Sequence, residues 1–219
     1  MALTKSLAFL KDLRLNNNKD WMHANKPAYQ ASRSEFIDFV HEVILKMTPI
    51  DTGLLGLEPK QCIFRINRDI RFSKDKSPYK INFGMFLSEG GKKSGKAGYY
   101  FHLEPGDNSF IAGGIYAPDP DNLAKVRQEI DYNAAELKKI VDQKKFKSLF
   151  GSLQGESLKR APKGYQEDHP NIDLLKLKSF IVLHKITDKE IADWSDADKC
   201  VAVFEQIKPL NDYFNVAIS

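Results

Sequence analysis

Gly98 to Tyr116 reads GYYFHLEPGDNSFIAGGIY, and this stretch sets the architecture of the chain. Two runs rich in aromatic and β-branched residues, Gly98 to Glu104 and Ser109 to Tyr116, flank the turn EPGDN, so the stretch predicts two strands joined by a tight connection. A connection this short makes the pair antiparallel, because a parallel return needs a crossover of a dozen or more residues. Side chains alternate between faces along a strand, so Tyr99, Phe101 and Leu103 share one side and Tyr100, His102 and Glu104 the other.

Working outward, Ile81 to Leu87 precedes this pair across the Gly-rich run EGGKKSGK and predicts a further strand of the same meander. Upstream again, Cys62, Phe64 and Ile66 alternate with Ile63, Arg65 and Asn67. The alternation predicts a strand that buries Cys62, Phe64 and Ile66 and presents Arg65 and Asn67. The N-terminal third reads as helix: Thr4 as cap, Leu7, Leu10 and Leu13 on one face, then a long helix opened by Pro27 with Phe36, Phe39, Val40, Val43 and Met47 at helical spacing. Downstream, Asp119 caps one helix and Asn133 with Glu136 a second. SFIVLHKI (Ser179 to Ile186) predicts another strand, and Ser195 with Asp198 opens a last helix. The sum is an α+β fold: one domain over residues 1–219, with a central antiparallel meander packed by N-terminal and C-terminal helices.

With 219 residues, 42% of them hydrophobic, the chain can bury one substantial core. Its two cysteines, Cys62 and Cys200, stand in apolar runs without the paired spacing of a metal or redox motif, which predicts buried, reduced thiols in a cytoplasmic protein. The N-terminus lacks the apolar core of a signal peptide, and no apolar run approaches the roughly 20 residues of a membrane span, so no membrane partner is expected. No motif indicates a cofactor or a metal.

Charge is concentrated in Lys60 to Lys80, KQCIFRINRDIRFSKDKSPYK, where seven basic residues face two acids while the whole chain carries only +4. Arginine offers a planar fork that matches carboxylate or phosphate, so Arg65, Arg68 and Arg71 with Lys76 and Lys80 can converge on an anion. The plainer alternative is a solvated loop in which Asp69 and Asp75 pair locally with these cations. On the strand GYYFHLE, His102 and Glu104 project together beside Tyr100, the pattern of a general acid/base pair, of part of a metal site, or of a histidine hydrogen-bonded within a sheet. His102 and Asp69 are the candidate proton-transfer groups, and Tyr100 a candidate ligand contact. Lys163, Tyr165 and His169 in PKGYQEDHP form a further candidate on a Pro- and Gly-bounded loop. Gly90 to Ala97 nearly spells a phosphate-binding loop, but Ala97 replaces the required hydroxyl and a strand follows where a helix should, so a basic hairpin tip is expected. Gly113-Gly114 is consistent with a bulge, tight packing or close approach to a ligand.

The runs NNNKDWMHANKPAYQ, CIFRINRDIRFSKDKSPYK, AGYYFHLEPG, GGIYAPDPDNLAKVRQEIDYN and LKRAPKGYQEDHPNIDLLKLKSF resemble those of the bacterial and fungal domain-of-unknown-function 2461 family. The resemblance covers nearly the whole chain and implies a complete single-domain member. It brings no activity, cofactor or catalytic residue with it. Three classes of function follow from the residues: an enzyme or binding protein for a small anionic ligand, a nucleic-acid-binding protein drawing on Lys60 to Lys80 and on the second basic stretch Lys138 to Lys163, and a module whose arginines meet an acidic protein partner.

Overall fold

The computed structural model describes residues 3–219. Helices α1 (Thr4–Leu15), α2 (Lys19–Ala24) and α3 (Lys26–Met47) occupy the N-terminal third, with Pro27 in the first turn of α3. Thr4 lies inside α1 and does not cap it. The free amides at that end are satisfied from another helix: the Glu35 carboxylate on α3 accepts from Lys5 N at 3.3 Å and Ser6 N at 2.7 Å.

The expected strand at Cys62 is not formed. Pro59 and the Glu58/Gln61 capping box start a short helix, α4 (Pro59–Cys62), and the chain leaves it through an isolated bridge from Ile63 to Met85. A helical turn followed by one bridge breaks the two-residue period, so Cys62, Ile63 and Ile66 are buried while Phe64 is 39% exposed.

The meander itself is as expected. β1 (Phe83–Leu87), β2 (Gly98–Leu103), β3 (Ser109–Ile115) and β4 (Phe180–Ile186) make one antiparallel sheet in the order β1-β2-β3-β4. Between β3 and β4 lie α5 (Pro120–Val141), α6 (Lys144–Phe150) and α7 (Ile172–Leu175), and after β4 come α8 (Asp188–Ala192) and α9 (Asp198–Ala217). Asp119 caps α5 by accepting from Asn122 N at 2.9 Å. The expected two helices in series are present as the two segments of α5, which meet at the non-helical backbone of Asn133; the Asn133 side chain bonds Glu129 and does not form the expected capping box with Glu136. Likewise Ser195 does not cap α9. The cap position is Ala197, which has no polar side chain to offer, and Asp196 before it accepts from both Ser195 Oγ and Asp198 N.

One face of the sheet is roofed by α3 and α9. Phe36 meets Phe83 and Phe39 meets Phe101 with ring centroids 5.3 and 5.2 Å apart, while Phe204 and Phe214 of α9 meet Tyr99 and Phe180 at 5.1 and 5.4 Å. Cys62 and Cys200 are fully buried in this apolar layer, and burial pushes both thiols up, away from the reactive thiolate. Both are therefore expected to react slowly with a thiol reagent in the native protein and rapidly after denaturation; fast native labelling would show that the core opens at one of them.

Candidate functional site

The second face of the sheet carries no such helical roof of rings. Strand register places its side chains in rows: Gly84, His102, Phe110 and Lys185 in one, Phe86, Tyr100, Ala112 and Leu183 in the next. Phe86, Tyr100, His102 and Phe110 are half-buried. Phe64 packs its edge on the Tyr100 ring, with centroids 6.1 Å apart.

The expected alternation along β2 puts three polar side chains in a hydrogen-bonded line. Tyr100 Oη lies 2.9 Å from His102 Nδ1, and His102 Nε2 lies 2.9 Å from Glu104 Oε2. A carboxylate only accepts, so in the neutral ring Nε2 carries the hydrogen and the Tyr100 hydroxyl donates to Nδ1. Phe110 stacks flat against the imidazole, with centroids 4.6 Å apart and planes 13° apart. Gly84 makes the line sterically feasible, because a Cβ there would lie 2.9 Å from the Tyr100 hydroxyl. Burial and the Glu104 charge push the Tyr100 phenol up to about 12, so it rests as a hydroxyl. At the far end, Arg14 from α1 holds Glu104 Oε1 at 3.3 Å and also donates to the Pro105 carbonyl.

The basic stretch divides into ion-paired and less engaged cations. Arg71 makes a two-pronged pair with Asp69, whose carboxyl it holds below the usual carboxylate range, and Lys76 donates to the Ile70 carbonyl at 3.0 Å. Asp69 is thus bound to Arg71 and shares no hydrogen bond with His102. Arg68 spans the base of its loop, donating to Asp75, to the Ser77 carbonyl and to Ser73 Oγ. Lys80 has no carboxylate partner among the described residues. Its ammonium lies 5.7 Å from the centre of the Phe64 ring, and burial together with the Arg65 and Lys92 charges lowers its pKa. Arg14, Arg68 and Lys80, with Asn17, Tyr79 and Asp75, line a cleft of about 340 Å³ between the end of α1 and the basic stretch. Asn17 fixes that wall by bonding both the amide and the carbonyl of Tyr79. The Arg65 charge acts on Lys80, Arg68 faces the same cleft as Lys80, and Arg71 and Lys76 are engaged in their own loop.

A family model described as a conserved hypothetical protein (DUF2461) matches residues 5–213. The chain belongs to the DUF2461 family. No curated protein and no solved structure matches it.

The remaining candidates of this DUF2461 protein lie on the loop before α7. His169 Nε2 bonds Asp131 of α5 at 2.9 Å while its Nδ1 accepts from Asn171 N, and Tyr165 sets its ring edge-on to the His169 ring. Those contacts fasten the loop to α5, and none joins it to the cleft or to His102. The same DUF2461 fold recruits three residues that sequence reasoning passed over. Arg14 sits on a helix read only for its apolar face. Lys92 lies in the glycine-rich hairpin tip yet reaches back to the Ile63 carbonyl at 2.5 Å and over the Phe64 ring at 5.2 Å. Phe64, expected in the core, is partly exposed on this face. Only the charge excess of EGGKKSGK pointed toward Lys92. Among the described residues no helix is long and apolar enough to cross a membrane, and no three His, Cys, Asp or Glu side chains gather as a metal ion would require.

Proposed function

We propose that this protein binds a small phosphate- or carboxylate-bearing ligand in the cleft between α1 and the basic stretch, beside a proton-transferring line of Tyr100, His102 and Glu104. The observation that carries the reading is the cleft wall itself, where Arg14, Arg68 and Lys80 face a single carboxylate, Asp75. Its volume of about 340 Å³ suits a metabolite-sized molecule. The Arg68 fork is held rigid by three acceptors before any ligand arrives, and such preorganisation lowers the entropy cost of binding an anion.

A ligand that binds only the folded state stabilises it, by about 2.7 kcal/mol at one hundred times its dissociation constant. Phosphate, sulfate or one of a panel of phosphorylated and carboxylated metabolites is therefore expected to raise the melting temperature. Lys80→Ala and Arg68→Ala should remove the rise, and Lys163→Ala, on the other loop, should retain it. Because burial and the neighbouring cations lower the Lys80 pKa, its charge is lost at lower pH than that of an ordinary lysine, so the rise should fade with increasing pH before ordinary lysines titrate. A panel without any shift would sink the reading.

A second reading has its own observation. Phe72 is 94% exposed at the tip of the basic loop, with the Arg71 guanidinium 5.7 Å from its ring centre. Exposed aromatics beside cations stack on the bases of single strands. Capture of single-stranded nucleic acid that weakens steeply with salt and is lost in Phe72→Ala would favour this class over the first.

A further inference from the structure

Both nitrogens of His102 are engaged, Nδ1 by the Tyr100 hydroxyl and Nε2 by the Glu104 carboxylate, and Phe110 covers a face of the ring. The imidazole therefore has no free nitrogen to offer a ligand. The Tyr100 hydroxyl ends the line. It stands over Gly84, two residues after Asn82, which precedes β1 and lines the cleft, and its ring meets Phe64, the residue over which Lys80 and Lys92 place their ammonium groups. The opposite end of the line also returns to the cleft, since Arg14 both lines it and holds Glu104.

We infer that Tyr100 is the residue that exchanges a proton with an anion that extends from this cleft past Asn82 over Gly84, with His102 as the base behind it and Glu104 and Arg14 as the groups that position the imidazole. The inference rests on the cleft reading given above and adds the class of ligand: an anion that also carries an acidic O–H, such as a phosphate monoester or a hydroxy acid. In the forward step the ligand O–H proton passes to the Tyr100 oxygen as the Tyr100 proton passes to His102 Nδ1. One O–H bond of the ligand breaks, one N–H bond forms, and the tyrosine is unchanged. The imidazolium is held by the Glu104 carboxylate, and the charge left on the ligand oxygen faces Lys80. No electrons change hands and no co-reactant is consumed. The arrangement follows the general pattern of a nucleophile or donor hydroxyl, a histidine base and an orienting carboxylate, with a phenol in the hydroxyl position.

The test uses the full chain labelled with nitrogen-15 histidine, and inorganic phosphate as the probe because it carries both the charge and an exchangeable proton. In the free protein His102 should show the tautomer protonated at Nε2. Added phosphate should raise the melting temperature and shift the Nδ1 resonance of His102. Tyr100→Phe keeps the ring contacts to Phe64 and Phe110 and removes only the hydroxyl. That variant should keep the rise in melting temperature and lose the Nδ1 response, while Glu104→Gln should keep the rise and change the tautomer. If phosphate raises the melting temperature but His102 responds equally in wild type and Tyr100→Phe, or in neither, the Tyr100 assignment is overturned and the cleft reading stands. If phosphate produces no rise in the wild type, the cleft reading falls and takes this inference with it.

Discussion

Phe101→Ala is expected to destabilise the protein by about 3 to 5 kcal/mol, the range for truncating a buried phenylalanine. Phe101 is fully buried at the centre of β2, where Phe39, Phe36 and Trp194 crowd its ring at centroid distances of 5.2, 6.3 and 5.8 Å. These partners belong to α3 and to the segment before α9, so the substitution opens a cavity where the helical layer meets the sheet. Phe64→Ala provides the contrast. Its ring makes an edge contact with Tyr100 and lies under two ammonium groups, interactions worth about 1.5 to 3.5 kcal/mol together. Chemical denaturation of the two variants should therefore give separated midpoints. Equal midpoints would mean that Phe64 belongs to the core after all.

That contrast also marks how far the sequence could be read. Along β2 a strict two-residue alternation separates Tyr99, Phe101 and Leu103 from Tyr100, His102 and Glu104, and the structure keeps every one of these on its expected face. The polar line of the candidate site was legible for that reason. At Cys62 to Ile66 the same alternation misled, because Pro59 and the Glu58/Gln61 box impose a helical turn whose burial follows a different period. Local charge arithmetic likewise found the basic stretch but could not tell which cations are engaged. Arg71 and Asp69 are two residues apart and pair within their own loop, whereas the partners that build the cleft, Arg14 with Glu104 and Asn17 with Tyr79, are 90 and 62 residues apart. Contacts of that span depend on how α1 docks against the sheet, and no local pattern encodes them.

Gly113 and Gly114 behave as two different constraints, and their replacement separates them. The sequence left a bulge, tight packing or a ligand approach open for this pair; the structure shows tight packing. A Cβ on Gly113 would lie 2.2 Å from Ile207 Cγ2, which means that α9 rests directly on the backbone of β3. Gly113→Ala should cost about 1 to 3 kcal/mol, because Ile207 is β-branched and has little rotamer freedom on a helix with which to retreat. Gly114 is more severe. Its φ of +110° favours glycine, and an added Cβ would sit 2.1 Å from the Phe180 carbonyl oxygen, a backbone atom of the neighbouring strand. Strain and overpacking together put Gly114→Ala at about 2 to 6 kcal/mol. The Gly114 amide also donates to the buried Asn211 Oδ1 at 2.9 Å, so a shift of β3 loosens a second tie to α9. The two cases differ in what can rescue them. Ile207→Ala removes the atoms that Gly113→Ala strikes, so the double variant should be more stable than the sum of the single losses by about 0.5 to 3 kcal/mol. The same Ile207→Ala background leaves the Phe180 carbonyl in place, and Gly114→Ala should show no comparable recovery. Equal coupling of both glycines to Ile207 in denaturant melts would mean that α9, and not the β3–β4 backbone, limits the space at Gly114.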